Sequence, residues 1–211
     1  MSYTLYGAPG TASLCVHWML IELGVPFEFA TLDFKANEQK DPAYLKINPS
    51  GQVPALVIDG VAYSEAAALL MILAERHPER GFAPAPGAAD RAAYLQWMVY
   101  LANMLMPSFR LYFYADEGAG PGNAEATKAQ AQARIENIWD RIDAQLAHGR
   151  PFLLGEQMRV ADFLLTMLTR WSRNMTRPAT QWPHLARYVT RLRAMPSYRE
   201  THDREGLEGW I

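Results

Sequence analysis

A proline- and glycine-rich break constrains this chain more than any other feature: Pro78, Gly81, Pro84, Pro86 and Gly87 fall within one short stretch. Such a stretch reads as a linker, and the hydrophobic pattern differs on its two sides. Ahead of it, Tyr3 to Tyr6 is a short β-prone run, Gly7-Ala8-Pro9-Gly10 a turn, and Ser13 to Leu23 a helix with Gly24 as its stop. Phe27 to Leu32 is a second strand. A polar, irregular stretch follows, with one helical turn near Ala43 to Leu45. Pro54 to Ile58 has the pattern of a buried strand, Asp59-Gly60 is a two-residue hairpin turn, and Val61 to Tyr63 is the return strand. Ser64 is expected to cap a helix from Glu65 to Arg76, which ends before Pro78.

Beyond the break no strand pattern is found. Residues 89–115 form a long helical pattern, with Tyr94, Trp97, Met98, Leu101 and Leu105 at helical spacing. Pro107 is expected to kink or interrupt it. A glycine-rich loop spans 116–123, a second long helix 124–148, and Val160 to Met175 is apolar nearly all round, as a central buried helix is. Helical pieces at 183–195 and from Ser197 finish the chain. The expected organisation is an α/β domain over residues 1–78, a linker over 79–87 and an all-helical domain over 88–211.

Bulk properties narrow the function classes. The formal net charge of −2 gives no field to attract nucleic acid or an anionic membrane. No apolar run is long enough to cross a bilayer. Met1-Ser2-Tyr3-Thr4 offers no basic stretch leading into an apolar run. The lone Cys15 excludes an intrachain disulfide and fits a reducing compartment, so a cytoplasmic location is expected. The five histidines share no metal-ligand spacing with Cys15 or the carboxylates, so no metal site is expected.

Four segments, in order along almost the whole chain, carry a family resemblance. They are Asn48-Pro49-Ser50-Gly51-Gln52-Val53-Pro54-Ala55-Leu56, Tyr63-Ser64-Glu65-Ala66, Phe152 to Asp162, and Trp182-Pro183-His184-Leu185 followed by Met195-Pro196. Together they resemble the cytosolic glutathione transferases, particularly the bacterial beta class. The resemblance implies a thioredoxin-like α/β first domain, an all-α second domain, a homodimer, and glutathione as a co-substrate with no permanently bound cofactor. It also implies a cis bond at Val53-Pro54. The backbone of Val53, between Gln52 and Pro54, would then pair with glutathione as an added strand does. Ser64, Glu65 and Ala66 open a helix whose N-terminal N–H groups and dipole attract a carboxylate, and Glu65 could receive the γ-glutamyl ammonium. The same residues read equally as a serine cap with a dipole-matched glutamate. Asp162 reads as structural, but Arg159 stands where the family's capping hydroxyl would be.

The chemistry requires glutathione as thiolate. Three residues in the first turn and helix compete to hold it. Ser13, opening the helix where hydroxyl and dipole act together, is the expected catalytic residue. Tyr6, which aligns with the tyrosine used by other classes, is the alternative. Cys15 reads as a small packed side chain. The beta-class catalytic cysteine is replaced by Ala12 and its histidine by Met106, which favours plain thiolate stabilisation over cysteine redox chemistry.

A small apolar electrophile is expected between the domains against Met106, Phe109, Arg110 and Phe113, while Trp171 reads as core. Asn103 is a candidate to reach the glutathione of the partner subunit. The expected reaction is conjugation of the thiolate to an electrophilic carbon. Glutathione-dependent peroxide reduction or isomerisation on the same site, and a non-catalytic binding module, are the alternatives.

Overall fold

The computed structural model describes residues 1–119 and 122–210. Its chain forms two compact units, one from Met1–Ala83 with the segment from Leu192 onward, the other from Pro84–Arg191.

The first unit is built on a four-stranded sheet of β1 (Tyr3–Gly7), β2 (Glu28–Thr31), β3 (Ala55–Ile58) and β4 (Val61–Ser64), in spatial order β2-β1-β3-β4. β1 runs parallel to β2 and antiparallel to β3, and β3–β4 is the hairpin expected at Asp59-Gly60. Alternation along β1 buries Tyr3, Leu5 and Gly7 and leaves Thr4 and Tyr6 half-buried. Helix α1 (Leu14–Leu23) connects β1 to β2 and ends on Gly24, whose φ of 70° suits glycine. The short α2 (Pro42–Leu45) lies between β2 and β3, and α3 (Ala66–Arg76) follows β4.

α1 is buried at nearly every position, including His17 and Trp18, because two layers cover it. The sheet and α3 lie on one side, and the last helix, α10 (Pro196–Arg204), packs against α1 as well. Trp18 Nε1 donates to Ser197 Oγ at 2.9 Å across that contact. The end of the chain therefore joins the first unit rather than the helical one to which its linear position assigns it.

The second unit is all-helical among the described residues. α4 (Arg91–Tyr100) runs into a π-helical turn, Leu101–Leu105, and then α5 (Met106–Phe113). The interruption expected at Pro107 is this π turn, and no loop forms. The wider π turn just ahead of it takes up the misfit of a residue with no N–H, and Ser108 Oγ donates to the Met104 carbonyl at 2.6 Å. The expected loop after residue 115 begins instead as a short helix, α6 (Ala115–Ala119), while Gly120 and Pro121 lie outside the described residues. α7 (Ala124–Leu146) packs on α5, and α8 (Val160–Trp171) is buried through to Arg170. α9 (Pro183–Arg193) leads back to the first unit. No helix among the described residues is long and apolar enough to cross a membrane.

Only half of a capping box closes the start of α8. Asp162 Oδ2 accepts from Arg159 N at 2.7 Å, but an arginine side chain has no acceptor to return the bond. Arg159 instead pairs through Nη2 with Asp90 Oδ2 at 2.9 Å. Asp162 finds its other partners across the unit: Leu153 N at 2.9 Å and Tyr188 Oη at 2.8 Å.

Candidate functional site

The register of the sheet brings three turns together. Tyr6 lies opposite Ala55, and Ala55 opposite Ser64. The turn after β1, the cis-proline turn before β3 and the junction of β4 with α3 therefore meet at one end of the sheet. Tyr6, Ser13, Gln52, Val53, Pro54, Ser64, Glu65 and Ala66, all singled out from the sequence, belong to this end.

The middle turn is held from behind. Tyr44 Oη and Asn48 Nδ2 both donate to the Gln52 carbonyl, at 2.5 and 2.7 Å. Burial raises the Tyr44 hydroxyl above its usual range, so it stays a donor. Lys40 Nζ donates to the Gly51 carbonyl at 3.1 Å, and Gly51 has a φ of 60°. The Val53-Pro54 bond is cis, as the resemblance implied. Among the described residues neither the N–H nor the C=O of Val53 has a hydrogen-bond partner. A buried or half-buried peptide group normally has one. Val53 thus presents a free backbone edge that an extended peptide could pair with.

Glu65 differs from the sequence reading. Ser64 ends β4 and does not cap α3; Glu65 occupies the cap position with φ 69°, and no side-chain cap bond forms. A non-glycine residue held there is disfavoured, and such strain gathers at functional sites. The Glu65 side chain is exposed and has no partner among the described residues. Ala66, buried beneath it, begins the helix whose first N–H groups face the same end. A free carboxylate next to free helix-start donors suits a ligand carrying both an ammonium and a carboxylate.

The first turn corrects the picture of Ser13. Its backbone is helical, φ −71° and ψ −22°, and it makes no capping bond. The side chain is fully buried and points back into the turn. Oγ donates to the Ala8 carbonyl at 3.2 Å, accepts from Ala8 N at 3.3 Å and lies 3.0 Å from Thr11 Oγ1. Thr11, half-buried, is the hydroxyl on the outer side of this pair, and its Oγ1 donates to Ala8 O at 2.7 Å. Thr11 is not among the candidates read from the sequence, where Ser13 has the commoner cap chemistry; its place between a Pro-Gly turn and the helix was the available signal. Tyr6 projects from the other face of β1 than Leu5, with its ring 5.8 Å from that of Tyr44. Cys15 is fully buried and donates to the Ala12 carbonyl, and burial drives its thiol far above the ordinary range. It cannot supply a thiolate.

The remaining sequence candidates lie in the helical unit. Phe109 is fully buried, edge-on to Trp171 at 5.7 Å and stacked on Phe113 at 5.9 Å. It is a core residue that backs a surface one, since Phe113 is exposed and Met106 and Trp171 are half-buried. Arg110 is exposed, pairs with Glu117 and lies 3.8 Å over the Tyr114 ring. Asn103 sits in the π turn and lines an open groove of about 610 Å³ with Leu95, Val99, Tyr100, Met104 and Arg141 among its walls. No cluster of three or more His, Cys, Asp or Glu able to hold a metal occurs among the described residues.

Comparison with known proteins bears on the family and the fold. The family model described as glutathione S-transferase, N-terminal domain, matches residues 1–75, and that of the C-terminal domain matches residues 125–191. The chain is 33% identical over 172 residues to glutathione S-transferase GST-4.5 of Xanthomonas campestris, covering 80% of this chain and 81% of that protein. The chain belongs to the glutathione S-transferase family. The solved structure of a sphingomonad glutathione S-transferase complexed with glutathione superposes with a TM-score of 0.85 at 31% identity, over 97% of this chain and all of that one. A Sulfitobacter glutathione transferase homologue with bound glutathione gives a TM-score of 0.89 at 27% identity, over 98% of this chain and 99% of that one. The thioredoxin-like sheet domain and helical domain expected from the sequence are those of this family.

Proposed function

We propose that this glutathione S-transferase binds glutathione at the described end of the sheet and transfers its sulfur to small apolar electrophiles. The observation that carries the reading is the pairing of an unpartnered Val53 backbone with an unpartnered, strained Glu65. Glutathione is a peptide with a free ammonium and carboxylate, and the two relatives with glutathione bound support it as the ligand. Val53 would bond its cysteinyl backbone, Glu65 its ammonium, and the start of α3 its γ-glutamyl carboxylate. Gln52 and Ser64 flank these contacts. Met106, Arg110 and Phe113, backed by Phe109, are the surface for the electrophile; methionine and aromatic walls suit varied apolar molecules.

Thiolate stabilisation falls to the hydroxyl pair. With the thiolate bound, the single Thr11 proton turns from the Ala8 carbonyl to the sulfur, and Ser13, 3.0 Å behind it, fixes the turn and can turn its own proton to Thr11 Oγ1. A hydrogen bond to a charged group contributes roughly 1.5–3 kcal/mol, and one pKa unit corresponds to about 1.36 kcal/mol. Bound glutathione should therefore titrate about one to two units below the free thiol. Thiolate ultraviolet absorbance across pH tests this. Thr11→Val should move the bound titration up by about one unit and cut turnover at neutral pH. Ser13→Ala should move it less, and Tyr6→Phe hardly at all. Glu65→Gln should leave the titration in place and weaken glutathione affinity by about tenfold in calorimetry. A titration moved by Tyr6→Phe and by neither hydroxyl variant would establish a tyrosine mechanism instead.

The functional unit is proposed to be a homodimer that pairs the first domain of one copy with residues 89–148 of the other. Leu95, Val99 and Met104 are exposed along the α4 groove, and Val61 and Tyr63 are exposed on β4. Asn103, in the same groove, would face the partner's glutathione. Sedimentation at micromolar concentration should give twice the chain mass, because interfaces of this kind are large and apolar. A monomer under those conditions rejects the pairing.

A further inference from the structure

The last helix is wired into the turn that carries Thr11. Glu205 follows α10, and its side chain is fully buried. Oε2 accepts from the Gly10 backbone N–H at 2.8 Å, a contact across 195 residues of sequence. Oε1 lies 2.7 Å from His17 Nδ1, and one proton lies between those two atoms. His17 is fixed in turn: its ring stacks on Phe29 at 4.3 Å and meets Phe27 edge-on at 5.4 Å. The carboxylate is therefore oriented by a rigid imidazole on one side and grips the thiol turn on the other. Burying a carboxylate costs free energy unless each oxygen is bonded, and here both are. Cys15, whose thiol is pushed up by burial first and by the Glu205 charge as well, stays a thiol.

We infer that Glu205, oriented by His17, is a positioning residue for glutathione activation: its bond to Gly10 N–H sets where the Thr11 hydroxyl points. The inference rests on the proposed role of the Thr11 turn. Gly10 adjoins Thr11 and has φ 69°, a conformation that glycine adopts readily, and the Glu205 carboxylate grips its N–H from outside the turn. Ser13 holds the turn at Ala8, and Glu205 holds it at Gly10. Both anchors bear on the turn that carries Thr11, and loss of the second removes the bond that ties Gly10 to the end of the chain. Preorganised donors matter most when they face developing or resident charge.

The test compares Glu205→Ala, Glu205→Asp and Glu205→Gln. Alanine removes both bonds. Aspartate is too short to reach Gly10 and His17 together. Glutamine keeps an acceptor for Gly10 N–H and an amide toward His17. Each variant is assayed well below its melting temperature for KM and kcat and for the titration of bound glutathione thiol. Alanine should raise the glutathione KM by about five- to tenfold and shift the titration up by about half a unit or more, the size expected when a bonded donor is misaimed. Aspartate should shift both in the same direction, and glutamine should restore most of the wild-type values. Aspartate carries the test if the alanine variant does not fold. Folded aspartate or alanine variants with lowered melting temperatures but wild-type KM and titration would make Glu205 a purely structural anchor and overturn the inference. Wild-type protein with no lowered thiolate titration at all would overturn the proposed function itself, independently of Glu205.

Discussion

Asp162→Ala is expected to destabilise the protein by about 3–5 kcal/mol, the cost of emptying a buried polar hub. Asp162 is fully buried and accepts from the Arg159 and Leu153 backbone N–H groups and from Tyr188 Oη. Alanine leaves those three donors without their acceptor in the middle of the helical unit. Burial, the largest of the causes that raise the Tyr188 hydroxyl well above the usual phenol range, persists in the variant and opposes its ionising to relieve the loss. Equilibrium denaturant unfolding measures the difference. A change under 1 kcal/mol would mean that water replaces the carboxylate freely.

The effect carries a pH signature. Burial raises the Asp162 carboxyl from 3.8 to about 6, against the opposing pull of its hydrogen bonds. The folded state then holds more protons than the unfolded state between about pH 4 and 6, so the contribution of this group to stability falls as pH rises through that window and is level above it. The gap between wild type and Asp162→Ala should therefore widen as pH is lowered from about 6 toward 4. A shift of about two units limits the widening to about 3 kcal/mol. A gap that narrows over that range contradicts the raised value.

Gly7→Ala is the second change expected to have a large effect, on folding and glutathione binding together. A Cβ at Gly7 would lie 2.4 Å from Ser13 Oγ, 2.5 Å from Ser13 Cβ and 2.9 Å from Phe29 Cε2. Overpacking of this kind costs typically 1–3 kcal/mol. Ser13 cannot swing aside without releasing Ala8, so the collision should be relieved by opening the turn that carries Thr11. The folded fraction should show glutathione affinity reduced by about tenfold or more, as for a lost charge-assisted contact. Ser13→Gly in the Gly7→Ala background removes the two nearer of the three colliding atoms and should recover part of the stability. Recovery should not extend to turnover, because the inner half of the hydroxyl pair is gone. A double variant no more stable than Gly7→Ala would place the collision at Phe29 instead.

The strand and helix order was legible in the sequence because it rests on short-range signals. Asp59-Gly60 dictates a hairpin, Gly24 a helix stop, and the β-prone run from Tyr3 to Tyr6 a strand, which extends one residue further to Gly7. The four motif segments were likewise enough to indicate the family, since their spacing spans the chain. Tertiary structure decided where individual polar groups point. Ser13 has a cap residue's identity, but its turn is helical at that position, which sends the hydroxyl inward to Ala8 and leaves Thr11 outside. Glu65 rather than Ser64 takes the start of α3 because Ser64 is still paired with Ala55 in β4, which leaves the turn into the helix to the residue after it. The interruption expected at Pro107 takes the form of a π turn between α4 and α5, not of a loop. The joining of α10 to α1, and of Glu205 to Gly10, has no local signature at all. It is set by two buried faces meeting after 195 residues of chain, and composition and periodicity carry no information about which distant partner a buried carboxylate finds.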